Sequence, residues 1–195
     1  MPEPELLNAL MVVVAYLLGS VPSAILVCHF MGISDPRQQG SQNPGASNVL
    51  RIGNRLAALF TFLGDAGKGW CAVSLSIWLT PGIETATWCA LAALLGHLFP
   101  LFAKFRGGKG VATAIGICLA LSPPLGLIQL LLWGLLISIS RVASLASIGC
   151  ALASPLIAWL LIPALLVPIA LISALLIATH RKNLQQLMQG TEHHF

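Results

Sequence analysis

"LLNALMVVVAYLLGSVPSAILVCHFM", residues 6–31, contains no Asp, Glu, Lys or Arg. A bilayer core about 30 Å thick is crossed by about 20 apolar residues of helix, and this run is longer than that. Glu3 and Glu5 precede it, and no Lys or Arg occurs before Arg37. A cleavable secretory signal begins with a cationic segment, so the run reads as a membrane span rather than a signal.

The rest of the chain agrees. Its 195 residues are 57% hydrophobic and 8% charged, against roughly 25% charged in an ordinary soluble domain, and the mean hydropathy is +0.89. The expectation is one polytopic membrane domain over residues 1–195, with the lipid bilayer as its solvent. The net charge of +4 is not clustered as nucleic-acid binding would require. Cys28, Cys71, Cys89, Cys118 and Cys150 stand singly in apolar runs, with no C-x-x-C pair and no His at metal spacing. They read as small buried hydrophobes, and no metal is implied.

Turn and charge signals cut seven apolar stretches, at about 6–30, 55–79, 85–103, 110–122, 124–140, 144–161 and 163–180. The alternation of a membrane β-barrel is absent, which leaves an all-α integral membrane protein. The fourth and fifth stretches are short and are joined by Ser122-Pro123-Pro124, so a tight hairpin that does not cross fully is an alternative for that pair. An N-terminus outside puts Arg37, Arg51 and Arg55 in the first inner loop and Lys104, Arg106 and Lys109 in the second. Arg141 falls in the third, and Arg181 and Lys182 in the tail. The proposed outer segments hold only Glu3, Glu5 and Glu84. That asymmetry predicts about seven transmembrane helices, N-terminus outside and C-terminus cytoplasmic.

The same topology gathers four polar stretches on the cytoplasmic face: "DPRQQGSQNPGASNVLR" (35–51), "GDAGKG" (64–69), "GHLFPLFAKFRGGKGVAT" (96–113) and "HRKNLQQLMQGTE" (180–192). The first, rich in Gly, Ser, Asn and Pro, reads as a loop with little propensity of its own. Near Lys109, Gly107, Gly108 and Gly110 let successive N–H groups turn toward an oxyanion, and a helix starting at Gly110 adds its positive end. A Cβ at Gly108 would intrude where those N–H groups face the ligand, at positive φ. This is no Walker A loop, since Ala103 stands where its first Gly should be and Gly110 follows the Lys. A phosphate cradle and an interfacial turn whose Lys snorkels to headgroups weigh about equally on these residues alone.

Asp65 and Lys68, three apart inside an apolar span, read as a structural ion pair that ties the span to a loop. His97 reads as a hydrogen-bonded packing residue. His180 shares a helical face with Asn183 and faces the site, whereas His193 and His194 read as solvated tail. No G-x-S-x-G elbow and no paired carboxylates occur, and His29 and Asp35 are one residue too far apart for an H-x4-D acyltransferase motif. A face rich in Arg, Lys, Ser and Asn is suited to binding two or more phosphates.

Taken together, "GSQNPGASNVLR" (40–51), "FRGGKGVAT" (105–113), "RVASLAS" (141–147) and the H-R-K-N…G-T-E pattern of 180–192 resemble the bacterial acyl-phosphate:glycerol-3-phosphate acyltransferases of the PlsY family over nearly the whole chain. The resemblance implies transfer of a fatty acyl group from acyl phosphate to the 1-hydroxyl of glycerol 3-phosphate, giving lysophosphatidic acid and phosphate. It implies the bacterial inner membrane, no cofactor, and a soluble acyl-phosphate-forming enzyme as a partner. By position, Ser41, Arg51, Lys109, Ser144, His180 and Asn183 would contact the substrates, and Gly107, Gly108 and Gly110 would shape the phosphate turn. Asn43 and Asn48 would organise the first loop beside the substrates. Asp65 and Lys68 would give structural support, and Glu192 would add to it by pairing with a cation. Gln186 departs from the family pattern, which often has Arg or Lys there. A phosphate-ester transporter is the rival reading, but no internal repeat of the polar motifs supports it.

Overall fold

The computed structural model describes residues 4–80 and 82–193, so the expectations for Glu3 and His194 lie outside the described residues. Among the described residues every regular element is helical. The chain forms two compact units, Met1–Leu121 and Ser122–Phe195.

In the first unit the opening apolar run is broken. Helix α1 (Pro4–Gly19) stops at Ser20 and α2 (Ser23–Phe30) leaves it at 41°. Pro22 has no N–H to continue the ladder and disfavours helix at the residue before it. A six-residue helix α3 (Ala46–Arg51) follows inside the first polar stretch, where a plain loop was expected. Gly45 precedes it in extended backbone, and its carbonyl accepts from the Asn48 and Val49 N–H groups. Helix α4 (Arg55–Leu79) begins where the apolar stretch predicts, capped by Asn54, whose side chain accepts from the Ala57 N–H at 2.8 Å. Helix α5 (Ile83–Leu98) runs into a 3-10 turn (Leu101–Ala103), and α6 (Val111–Leu121) closes the unit.

Packing in this unit is by close approach of backbones. Helix α1 lies on α5, and α4 on α6. A Cβ on Gly96 would overlap the Tyr16 carbonyl, and one on Gly116 the Ala66 carbonyl. Small residues let apolar helices approach this closely in a solvent that gives no hydrophobic drive for their association.

In the second unit α7 (Pro123–Ser140) packs on α8 (Ala143–Leu161), and α8 on α9 (Leu166–Thr179). Trp133 Nε1 donates to Ser147 Oγ at 3.1 Å across the first pair. A 3-10 turn (Pro163–Leu165) opens α9, and beyond a 57° bend the polar tail forms α10 (Arg181–Met188).

Among the described residues three helical segments are long and apolar enough to cross a membrane, Ile83–Ala103, Pro123–Ser140 and Ala143–Leu161, or up to five if each bent pair counts as one span. Seven were expected. Helix α4 has the length, at 25 residues, but Asp65, Lys68 and three nearby glycines lower its hydropathy. Helix α6 has 11 residues, about 16 Å at 1.5 Å per residue, against a hydrocarbon core of about 30 Å.

Candidate active site

The first loop is built on Asn48, which is 1% exposed. Its Nδ2 donates to the carbonyls of Pro36 (2.8 Å) and Gln39 (3.0 Å), and its Oδ1 accepts from the Ser41 N–H (2.8 Å). One amide thus holds residues 36–41 and sets Ser41, half-buried, at the edge of the loop. These contacts make Asn48 an organiser of the loop. Asn43 lies against Gly45, whose N–H donates to the Asn43 carbonyl at 2.9 Å. Arg51, also half-buried, is the last residue of α3. At the start of the loop Arg37 Nη2 approaches Asp35 Oδ2 to 2.6 Å. The side-chain and backbone hydrogen bonds from Arg37 hold the Asp35 carboxyl below the usual carboxylate range, against the opposing effect of its partial burial.

The glycine turn sits beside this loop. Lys104 and Phe105 are both left-handed, at φ 56° and 58°, and bring the chain sharply round into Arg106. The Gly108 N–H donates to the His97 carbonyl at 3.3 Å. A Cβ on Gly107 would overlap the carbonyls of His97 and Leu98. A Cβ on Gly108 would collide with His97 Nε2 and lie 3.1 Å from the Pro44 carbonyl of the first loop. Two details depart from expectation. Helix α6 starts at Val111, one residue later than expected. The left-handed glycine is Gly110, at φ 89°, and not Gly108. Gly108 is glycine because of what lies against it. Lys109 is half-buried between the two.

Under the turn lies a buried polar cluster. Lys68 Nζ is 2.8 Å from Asp65 Oδ1 and donates to the Val21 carbonyl at 2.8 Å, at the break between α1 and α2. His97 Nδ1 is 3.5 Å from the same Asp65 oxygen. The i,i+3 spacing of Asp65 and Lys68 pointed to their pairing. The third member, His97, was not legible, because its approach to Asp65 depends on how α5 packs. A cleft of about 240 Å³, counting its open side, is lined by Asp65, Lys68, His97, Arg106, Gly107 and Gly108, with Pro44, Pro100 and residues 21–25 completing the wall.

The second unit carries the remaining candidates. Ser144, in the first turn of α8, is 5% exposed, and its Oγ is buried without a hydrogen-bond partner among the described residues. His180, 3% exposed, stands at the bend between α9 and α10. Its Nδ1 lies 2.7 Å from the Leu176 carbonyl. A carbonyl only accepts, so Nδ1 carries the proton and Nε2 is the acceptor of the neutral ring. Asn183 is buried one turn on, and its Nδ2 donates to both carboxylate oxygens of Glu192, at 3.1 and 2.9 Å. Glu192 was expected to pair with a cation. The partner the structure gives it is this amide, which anchors the end of the tail to α10. Arg181 and Lys182 are exposed.

Apolar helices with backbones in close contact, several of them long enough to cross a bilayer, define a helical integral membrane protein. Residues 9–190 match the glycerol-3-phosphate acyltransferase family, and the chain belongs to that family. Proteins named glycerol-3-phosphate acyltransferase from Methylobacillus flagellatus and Pseudomonas paraeruginosa are 48% and 46% identical to it over 187 residues, covering 95% of this chain and 95% and 98% of theirs. Crystal structures of PlsY, described as an integral membrane glycerol 3-phosphate acyltransferase, match in a glycerol 3-phosphate form (TM-score 0.90) and a lysophosphatidic acid form (0.89). Each is 34% identical, over 96% of this chain and 95% of the other. The likeness to the PlsY family thus extends from the motifs to the fold.

Proposed function

We propose that this protein transfers a fatty acyl group from acyl phosphate to the 1-hydroxyl of glycerol 3-phosphate, the first acylation of phospholipid synthesis. The observation that carries the reading is the likeness over 96% of the chain to a protein solved in a glycerol 3-phosphate form and a lysophosphatidic acid form. One is the acceptor of this reaction and the other its product. The acceptor oxygen bonds to the acyl carbon, the bond from that carbon to the phosphate oxygen breaks, and phosphate leaves with the electron pair. The hydroxyl proton passes to a substrate phosphate oxygen.

A mixed anhydride carries its own leaving group, so the protein needs to align two anions rather than build a nucleophile. In this reading Arg51 and Lys109 offset phosphate charge, while Ser41 and Ser144 bind phosphate or acceptor. His180 and Asn183 orient the reacting groups. Gly107, Gly108 and Gly110 shape the turn, Asn43 and Asn48 the loop beside it, and Asp65, Lys68 and Glu192 support them from behind. No acyl-serine is expected in this reading: among the described residues Ser144 Oγ has no hydrogen-bond partner, so no base activates it, and Ser41 is assigned to binding. The proposed setting is the bacterial inner membrane, crossed seven times by one domain with the motifs cytoplasmic, where a soluble enzyme can supply acyl phosphate.

Purified protein given labelled glycerol 3-phosphate is expected to make lysophosphatidic acid from acyl phosphate and not from acyl-CoA. Equal rates with the two donors, or no product from either, would sink the proposal.

A further inference from the structure

We propose that His97 is a positioning residue that fixes the backbone of the glycine turn and hence the place of Lys109. The inference rests on the reading of that turn as a phosphate cradle. Glycines resist ordering more than any other residue, so a G-G-K-G segment left to itself samples many conformations. Something must select one.

His97, 6% exposed at the end of α5, touches the turn at several points. Its carbonyl accepts from the Gly108 N–H at 3.3 Å and occupies the place of a Cβ on Gly107. Its Nε2 stands against the Cα of Gly108, where no side chain fits. The other ring nitrogen, Nδ1, faces Asp65 Oδ1 at 3.5 Å, and that oxygen also holds Lys68 at 2.8 Å. An ion pair and an imidazole are costly inside an apolar bundle, and apolar residues of similar volume fill space at less cost. What they add is orientation: among the described residues His97 Nδ1 is buried without a hydrogen-bond partner and faces the Asp65 carboxylate, an attraction that turns the opposite edge of the ring onto the turn. The charged and titratable groups facing His97 across the shared cleft are Asp65, Lys68 and Arg106.

The test is steady-state kinetics with each substrate varied, on His97→Ala, Gly108→Ala, the double variant, His97→Gln, Asp65→Asn and Lys109→Met. The KM raised by Lys109→Met is expected to rise about ten-fold or more in His97→Ala, with kcat within about three-fold. His97→Gln, which keeps a polar group over Gly108, should recover most of the loss. The double variant should be no worse than the poorer single, because both changes disturb one contact. A fall in kcat with both KM values unchanged would mean only a loss of folded enzyme and would overturn the inference. So would a double variant in which the two losses multiply. Should His97→Ala fail to accumulate, Asp65→Asn decides, with the same KM raised about three-fold or more, or unchanged. Silence of Lys109→Met would remove the cradle reading and this inference with it. A costly Lys109→Met beside a silent His97→Ala would remove this inference alone.

Discussion

Lys109 and the glycines beside it contribute differently to one turn, and substitutions should separate them. Lys109→Met removes a charge-assisted contact worth about 1.5–3 kcal/mol. kcat/KM should therefore fall at least about ten-fold, while the protein still folds and inserts. Gly108→Ala keeps the charge but sets a methyl against His97 Nε2 and the Pro44 carbonyl. It should lower kcat/KM as severely, whereas a lysine that only snorkels would be indifferent to it, so near-normal kinetics for both variants would return the turn to an interfacial role. At the same scale, Asp35 has a folded pKa below its ordinary 3.8, so its contribution is complete above that value and lost as pH falls through the lower, folded one. Both partners are a quarter to a third exposed, so Asp35→Asn should cost under about 1 kcal/mol at pH 7. Thermal midpoints of variant and parent should converge as pH is lowered below the ordinary carboxylate range. The Asp65–Lys68 spacing and the G-G-K-G run were legible because both are local in sequence. The meeting of His97 with Gly108 was not, because it depends on the chain doubling back through Pro100 and the left-handed pair at 104–105.

Among the elements, the contact of α4 with α6 depends on glycines. Gly116→Ala would drive a methyl into the Ala66 carbonyl, and overpacking of this kind costs about 1–3 kcal/mol. Gly67→Ala, in the same helix pair, meets nothing within 4 Å and should be neutral or slightly stabilising through helix propensity. Melting temperatures of the two in one detergent would show whether backbone approach or mere helix content holds the pair. Boundaries set by hydropathy were readable: the stretch 55–79 matches α4, and 124–140 and 144–161 lie within a residue of α7 and α8. Two features were not. Helix α3 is short and polar, stabilised by the loop around it rather than by an apolar stripe. The break in the first span was signalled by Ser20-Val21-Pro22, but a proline inside an apolar run is also compatible with a continuous kinked helix.

For the whole molecule, the sidedness expected from the basic residues has a direct check. Single cysteines replacing Gln38 and Gly82, both exposed, should react from opposite sides of sealed vesicles in a background lacking the five native cysteines. Labelling from the same side would reverse the proposed topology. The expected sidedness follows from where Lys and Arg fall between spans. The number of crossings does not follow so directly, since α6 is short and α4 carries an ion pair, and the cost of each in lipid depends on its neighbours.

The bond from Lys68 to the Val21 carbonyl also has a consequence for how the protein is made. Val21 leaves the ribosome 47 residues ahead of the ammonium that also binds its carbonyl, a delay of several seconds at about 5–20 residues per second. During that interval the carbonyl has its local partner, the Ser23 N–H at 3.1 Å, and lacks the charged one. The break in the first span is thus tied in two stages, first within its own turn and then, once the fourth helix arrives, to a side chain made much later.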